Sequence, residues 1–116
     1  MSGRLKEQAK RILREVPTEK AFHFYSDIGA KTGALAKSLG EFLHLIGSVE
    51  LRSIEFHLSR GDFENWIRML GDETLARQLA KVRLEKLSGD QLRKRLLQIL
   101  RLRYGLLRKF ASSSSD

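Results

Sequence analysis

Three histidines, His23, His44 and His57, and 14 carboxylates are the groups with which this chain of 116 residues could do acid–base or metal chemistry. No two of the histidines stand four apart, the spacing that puts two imidazoles on one helical face for a metal. Glu55, His57 and Asp62 can be drawn as an acid–base cluster. A histidine hydrogen-bonded near a helix end explains the same residues. No serine occupies a Gly-x-Ser-x-Gly elbow. Gly29-Ala30-Lys31-Thr32-Gly33 lacks the glycine and Lys-Ser/Thr spacing that wraps a phosphate at a helix start. The absence of cysteine excludes disulfides, thiolate zinc sites and thiol nucleophiles. The residues therefore read as a non-enzyme without cofactor or metal, with a small hydrolase around His57 as a third-ranked reading.

A second chemistry has more residues behind it. Single strands of nucleic acid are held by aromatic faces that stack on bases, beside Lys and Arg that follow the phosphates. Phe22, Phe24, Tyr25, Phe56, Phe63 and Trp66 fall in two stretches, with Lys31, Arg52, Arg60 and Arg68 nearby. The competing reading is that most of these rings are core. Period-two alternation of Phe22 and Phe24 with His23 and Tyr25 turns one pair outward. The net charge is +8, and it is uneven: +3 over residues 1–20, zero over 21–89 and +5 over 90–116. A balanced centre with basic flanks suits a polyanion. A highly charged surface made for solubility or heat resistance gives the same count. The expected contacts are Lys6, Lys10, Arg14, Phe24, Tyr25, Lys31, Arg52, Arg60, Lys94, Arg101 and Arg108. No zinc finger, helix-turn-helix or ribonucleoprotein signature is present, so readout of base sequence is not expected.

These residues are positioned by elements legible in the pattern. The length gives one domain with a real core. Leu5, Ala9, Ile12 and Val16 recur at helical spacing over residues 4–16, and Pro17 stops that helix. Residues 21–33 read as a short β-hairpin. Residues 34–47 form a helix whose start is either there or at Ser38, where Ser38 and Glu41 spell a capping box. Residues 48–60 read as a helix starting at Ser48, with strand alternation as competitor. Three Gly-Asp steps, Gly61-Asp62, Gly71-Asp72 and Gly89-Asp90, then punctuate the chain. Glycine closes one helix in the left-handed conformation, and aspartate caps the next. Ser88 and Gln91 suggest another capping box. Phe63, Trp66, Ile67 and Leu70 share one helical face. The fold class is thus mainly α: short helices with a hairpin near residues 21–33 and a long C-terminal amphipathic helix. The expected division is a compact domain over 1–88, the helix over 89–110 and a disordered tail over 111–116.

The last helix carries two adjacent apolar seams. Leu92, Leu96, Ile99, Leu106 and Phe110 form one, interrupted by Arg103. Leu97, Leu100, Tyr104, Leu107 and Ala111 form the other. Their combined arc exceeds what a two-stranded coiled coil needs. One seam suffices for the chain's own core, so the second is expected to join copies into a homo-oligomer; a helix sunk wholly in its own domain is the alternative. Lys94, Arg101 and Arg108 follow at seven-residue intervals on the opposite side.

Phe22-x-Phe24, Ile28-Gly29-x-x-Thr32-Gly33, Ser38-Leu39-x-x-Phe42, the block IEFHLSRGDFENWI from Ile54, Gly71-Asp72-x-x-Leu75-Ala76 and Leu92-Arg93 together resemble a family of small archaeal domains of unknown function over residues 21–100. In layout the chain is also similar to the ThermoDBP single-stranded DNA-binding proteins of the Thermoproteales and their related proteins. There, a small basic domain with an aromatic-lined cleft precedes a leucine-zipper-like helix. That likeness is architectural and carries over no site residue. It implies a partner of single-stranded DNA or RNA. The alternative is a protein-interaction module whose basic helix meets an acidic partner. With no apolar run near the ~18 residues of a membrane span and no signal peptide, the expected place is the cytoplasm, away from membranes.

Overall fold

The computed structural model describes residues 2–113. Among them are six α-helices, one 3-10 turn and one two-stranded antiparallel hairpin. Helix α1 (Ser2–Leu13) ends earlier than its periodicity predicts. Pro17 disfavours the helical conformation in the residue before it. Val16 instead lies outside the helix, buried, with its N–H on the Lys37 carbonyl at 2.8 Å. A 3-10 turn (Thr18–Lys20) leads into β1 (Phe22–Asp27) and β2 (Ala30–Ala36). The second strand is longer than expected. Tyr25 pairs with Lys31 and His23 with Leu35, so β2 bulges opposite Phe24. Thr32 Oγ1 bridges the bulge to the Phe24 carbonyl at 2.9 Å.

Helix α2 (Leu39–Ile46) begins where the capping box places it: Ser38 Oγ accepts from the Glu41 N–H at 3.2 Å. The Glu41 carboxylate reaches back to the Lys37 N–H at 2.7 Å. Helix α3 (Leu51–Arg60) settles the 48–60 segment as helical, three residues later than Ser48. Helices α4 (Asp62–Leu70) and α5 (Glu73–Glu85) follow through the first two Gly-Asp corners. Gly61 and Gly71 take φ of +77° and +113°, as helix closure by glycine requires. The aspartates differ. Asp72 caps α5 through the Leu75 N–H at 3.0 Å. Asp62 does not cap α4; it is the first helical residue and its carboxylate turns to α3 instead.

The third Gly-Asp step does not close a helix. Lys86, at φ +56°, ends α5, and α6 (Gly89–Ala111) starts after Ser88, which makes no side-chain cap. Of the tail expected over 111–116, Ala111 completes α6 and residues 114–116 lie outside the described residues.

One core unites these elements. Phe22, Phe24, Phe42, Phe63 and Trp66 meet edge-on, tilted or stacked with ring centroids 4.8–6.3 Å apart. Leu92, Leu96, Leu100 and Leu107 of α6 belong to the same cluster. Most of both seams of α6 therefore faces inward, because α1, α2 and α5 all pack on it, while Leu106 of the first seam stays exposed. The corner at Gly61 is tightly enclosed: a Cβ there would lie 2.8 Å from Glu64 Oε1 and 3.0 Å from Arg83 Nη1, which are themselves ion-paired. Gly61→Ala is expected to cost at least the ~1–2 kcal/mol of a left-handed non-glycine residue, read as a lower urea midpoint with unchanged slope.

Candidate nucleic-acid interface

Helix α3 grips the hairpin by side chains one turn apart. Ser53 Oγ donates to the Tyr25 carbonyl at 2.7 Å, and His57 Nε2 accepts from the Tyr25 N–H at 2.7 Å. Both backbone groups of this edge residue are thus satisfied without a third strand. Since Nε2 accepts, the ring proton sits on Nδ1, which donates to Asp62 Oδ2 at 2.9 Å. His57 is buried, and burial pushes its pKa below the ordinary imidazole value; Asp62 opposes the shift by hydrogen bond and charge, and Arg60 adds to it. Both ring nitrogens are occupied, leaving neither a lone pair nor a proton for a substrate. Glu55 is exposed and outside this network.

Above this network lies an open groove of about 450 Å³. Tyr25 and His23 of β1, Phe56 and Arg60 of α3, Ile28 at the hairpin tip and Asp62 line it. Tyr25, His23 and Phe56 are half-exposed, so each keeps ring surface toward solvent. The Arg60 guanidinium lies over the Phe56 ring at 4.9 Å and bonds Asp62 through Nε at 3.0 Å. His23 is steadied by donating from Nε2 to the Thr18 carbonyl at 3.1 Å. Trp66 is not part of the groove; its indole N–H donates to the Lys20 carbonyl at 2.8 Å and anchors the strand's approach.

The sequence-predicted residues divide into two sets. Tyr25, Lys31, Arg52 and Arg60 gather at the hairpin: Lys31 pairs with Tyr25 in register, and Arg52 reaches Asp27 at 3.6 Å. Lys94, Arg101 and Arg108 stand exposed in a row on α6, and Lys6 and Lys10 ride on α1, which packs against α6. Among the described residues none of these five has a carboxylate within ion-pair distance. Arg108 stacks over Tyr104 at 5.8 Å.

Two expectations are corrected. Phe24 is fully buried and offers no face to a base; the alternation was sound, but the inward pair is Phe22 and Phe24. Arg14 turns inward, its Nη1 bonding the Leu70 carbonyl at 2.9 Å and the Arg11 carbonyl at 2.6 Å. It anchors the end of α4. Phe56 and His23 are missing from the expected contacts. Phe56 was findable, since Phe56 and Arg60 stand four apart on one helix and must face each other.

No group of three His, Asp or Glu side chains could hold a metal ion among the described residues, and no helix among them is long and apolar enough to cross a membrane. The molecule is a small, mainly helical domain with one hairpin, an aromatic groove and, among the described residues, five cations on α1 and α6 without a carboxylate partner. The chain belongs to the family of unknown function DUF5752, which matches residues 1–101. That span takes in the groove, α1, and Lys94 and Arg101 of α6. No curated protein and no solved structure matches the chain.

Proposed function

We propose that this protein binds single-stranded nucleic acid without sequence preference and without catalysis. The observation that carries the reading is the groove, where half-exposed Tyr25 and Phe56 stand beside Arg60, with Lys31 across from Tyr25 on the hairpin. Flat rings next to cations are what a base stack with its phosphates requires. The unpaired cations of α1 and α6 add the long-range attraction that brings a polyanion to a chain of net charge +8.

A fluorescent oligonucleotide titrated at two salt concentrations tests it. Affinity should fall about tenfold or more between 50 and 200 mM salt, given roughly 0.7 counterions released per phosphate contacted on a single strand. Tyr25→Ala and Phe56→Ala should each weaken binding by about 1–3 kcal/mol, the usual value of one stacked base. Lys94→Glu/Arg101→Glu should flatten the salt slope. Absence of binding at low salt would sink the idea.

A further inference from the structure

We infer that the groove between α5 and α6 is a docking site for an acidic amphipathic helix of a partner protein. This surface is separate from the aromatic groove, and the inference does not rest on nucleic-acid binding. Ile99, Leu102 and Leu106 follow one another at spacings of three and four, which lines them up along one edge of α6. Ile99 and Leu106 are the outer margin of the first seam, and Leu102 stands outside both seams. Leu102 is 72% exposed and Leu106 41%, a large apolar surface for two leucines on an otherwise charged helix. Opposite them, Gln78 and Lys81 of α5 complete a groove of about 370 Å³.

The electrostatics of the rims select the occupant. The groove's one carboxylate, Glu85, is already held by Arg95, with Nε to Oε1 at 3.3 Å. Arg103 at the floor is held by Asp72. Lys81 on one rim, and Lys94 and Arg101 on the far side of the leucines, have no carboxylate within ion-pair distance among the described residues. A helix that places leucines in the groove and glutamates on either side would meet apolar surface in the middle and cations at both edges. A second copy of this chain would bring like-charged rims together at a net charge of +8 each. The aliphatic strip offers nothing for a base to stack on, which separates it from the hairpin groove. Helix-in-groove recognition of this kind reads anchors at i, i+3 or i+4, and i+7, the spacing that Ile99, Leu102 and Leu106 present from the other side.

The probe is a labelled synthetic peptide of about 14 residues, near the length at which an isolated helix becomes marginal in water. It carries leucines at heptad spacing and glutamates at the flanking positions, and its control is the same composition scrambled. Fluorescence anisotropy should show saturable binding of the amphipathic peptide and at least about tenfold weaker binding of the scrambled one. Leu102→Ser/Leu106→Ser should weaken the amphipathic peptide by about tenfold or more while leaving the melting temperature and oligonucleotide affinity unchanged. Lys81→Glu, which leaves the leucines intact, should weaken it several-fold. Equal binding of both peptides, or no saturable binding, overturns the inference. So does a doubling of mass in light scattering that the Leu→Ser pair abolishes, since the occupant is then a second copy. Leucine-dependent binding to anionic vesicles with no binding of the peptide also overturns it.

Discussion

Replacing Arg103 by methionine should destabilise the protein by about 3–5 kcal/mol, the cost of stranding one partner of a buried ion pair. Arg103 Nε and Nη2 bond the two carboxylate oxygens of Asp72 at 2.8 and 2.9 Å, and the Asp72 side chain is 1% exposed. Asp72 also caps α5 through the Leu75 N–H. Without Arg103 that carboxylate stays buried against a single backbone donor. Against the ~5–15 kcal/mol that a domain has in total, the loss should lower the melting temperature by roughly 10–20 °C. Arg103→Lys should recover only part, because an ammonium cannot meet both oxygens in the fork geometry of guanidinium. Adding Asp72→Asn to Arg103→Met should regain stability over Arg103→Met alone, since it removes the buried charge and keeps a capping oxygen. The half-exposed Arg95–Glu85 pair is the contrast: Arg95→Met should cost no more than about 1 kcal/mol. Urea titrations of the four variants decide the matter. An Arg103→Met variant within 1 kcal/mol of wild type would falsify the clamp.

Arg103 also shows where the sequence stops speaking. At the level of spacing it is a charged break in an apolar seam, and a zipper with a flaw is the natural reading. Its partner stands 31 positions away at a helix corner, and no periodicity connects them. Arg14 is the same case: it is one of a row of cations at i, i+4 and i+8, but the Leu70 carbonyl, 56 positions away, takes its guanidinium inward. By contrast, whatever depends on neighbours along the chain was legible. Ser38 and Glu41 box the second helix, and Gly61 and Gly71 turn left-handed where two helices must close. The alternation in β1 gave the right faces, and only the side that meets the core needed the tertiary fold. The two seams of α6 give a width of apolar surface without its destination, and four helices of the same chain, α1, α2, α3 and α5, pack on it.

The stretch from Ile54 to Asp72 shows both limits at once. Its Gly-Asp steps read as caps: both glycines close a helix, and of the two aspartates Asp72 caps the next one. The other aspartate, Asp62, has a histidine and an arginine as its partners. Phe63, Trp66 and Leu70, which share one helical face in the sequence, are all buried in the core. Yet Phe56 and Arg60, on the α3 side of the Gly61 corner, form one wall of the groove, while Ser53 and His57 of the same helix hold the opposite wall in place. The function proposed for the groove therefore depends on the corner's geometry.

That dependence makes the protein's stability, and its groove, sensitive to acid through His57. In the fold the ring is neutral: Nε2 must remain unprotonated to accept the Tyr25 N–H. Its folded pKa is lowered, first by burial, although Asp62 pulls the other way. In the unfolded chain the ring titrates near its ordinary value of about 6.5. Below that value the unfolded state binds a proton that the folded state does not, so stability rises with pH. The contribution is therefore complete above about pH 6.5 and is lost as pH falls from there through the lowered folded value. Protonation in place would set an Nε2–H against the Tyr25 N–H, two donors facing each other, and the α3 side of the hairpin would loosen first. His57→Gln should flatten this slope between pH 7 and 5 while costing about 1–3 kcal/mol at neutral pH, the usual penalty when a buried hydrogen-bonding group loses its partner. Amide exchange offers a local check, because the Tyr25 N–H should lose protection on acidification before the backbone of α4 does. If wild type and His57→Gln lose stability in parallel across that range, the imidazole is not the group that titrates. A Tyr25 amide whose exchange keeps pace with that of α4 would instead place the opening in the whole fold rather than at the hairpin.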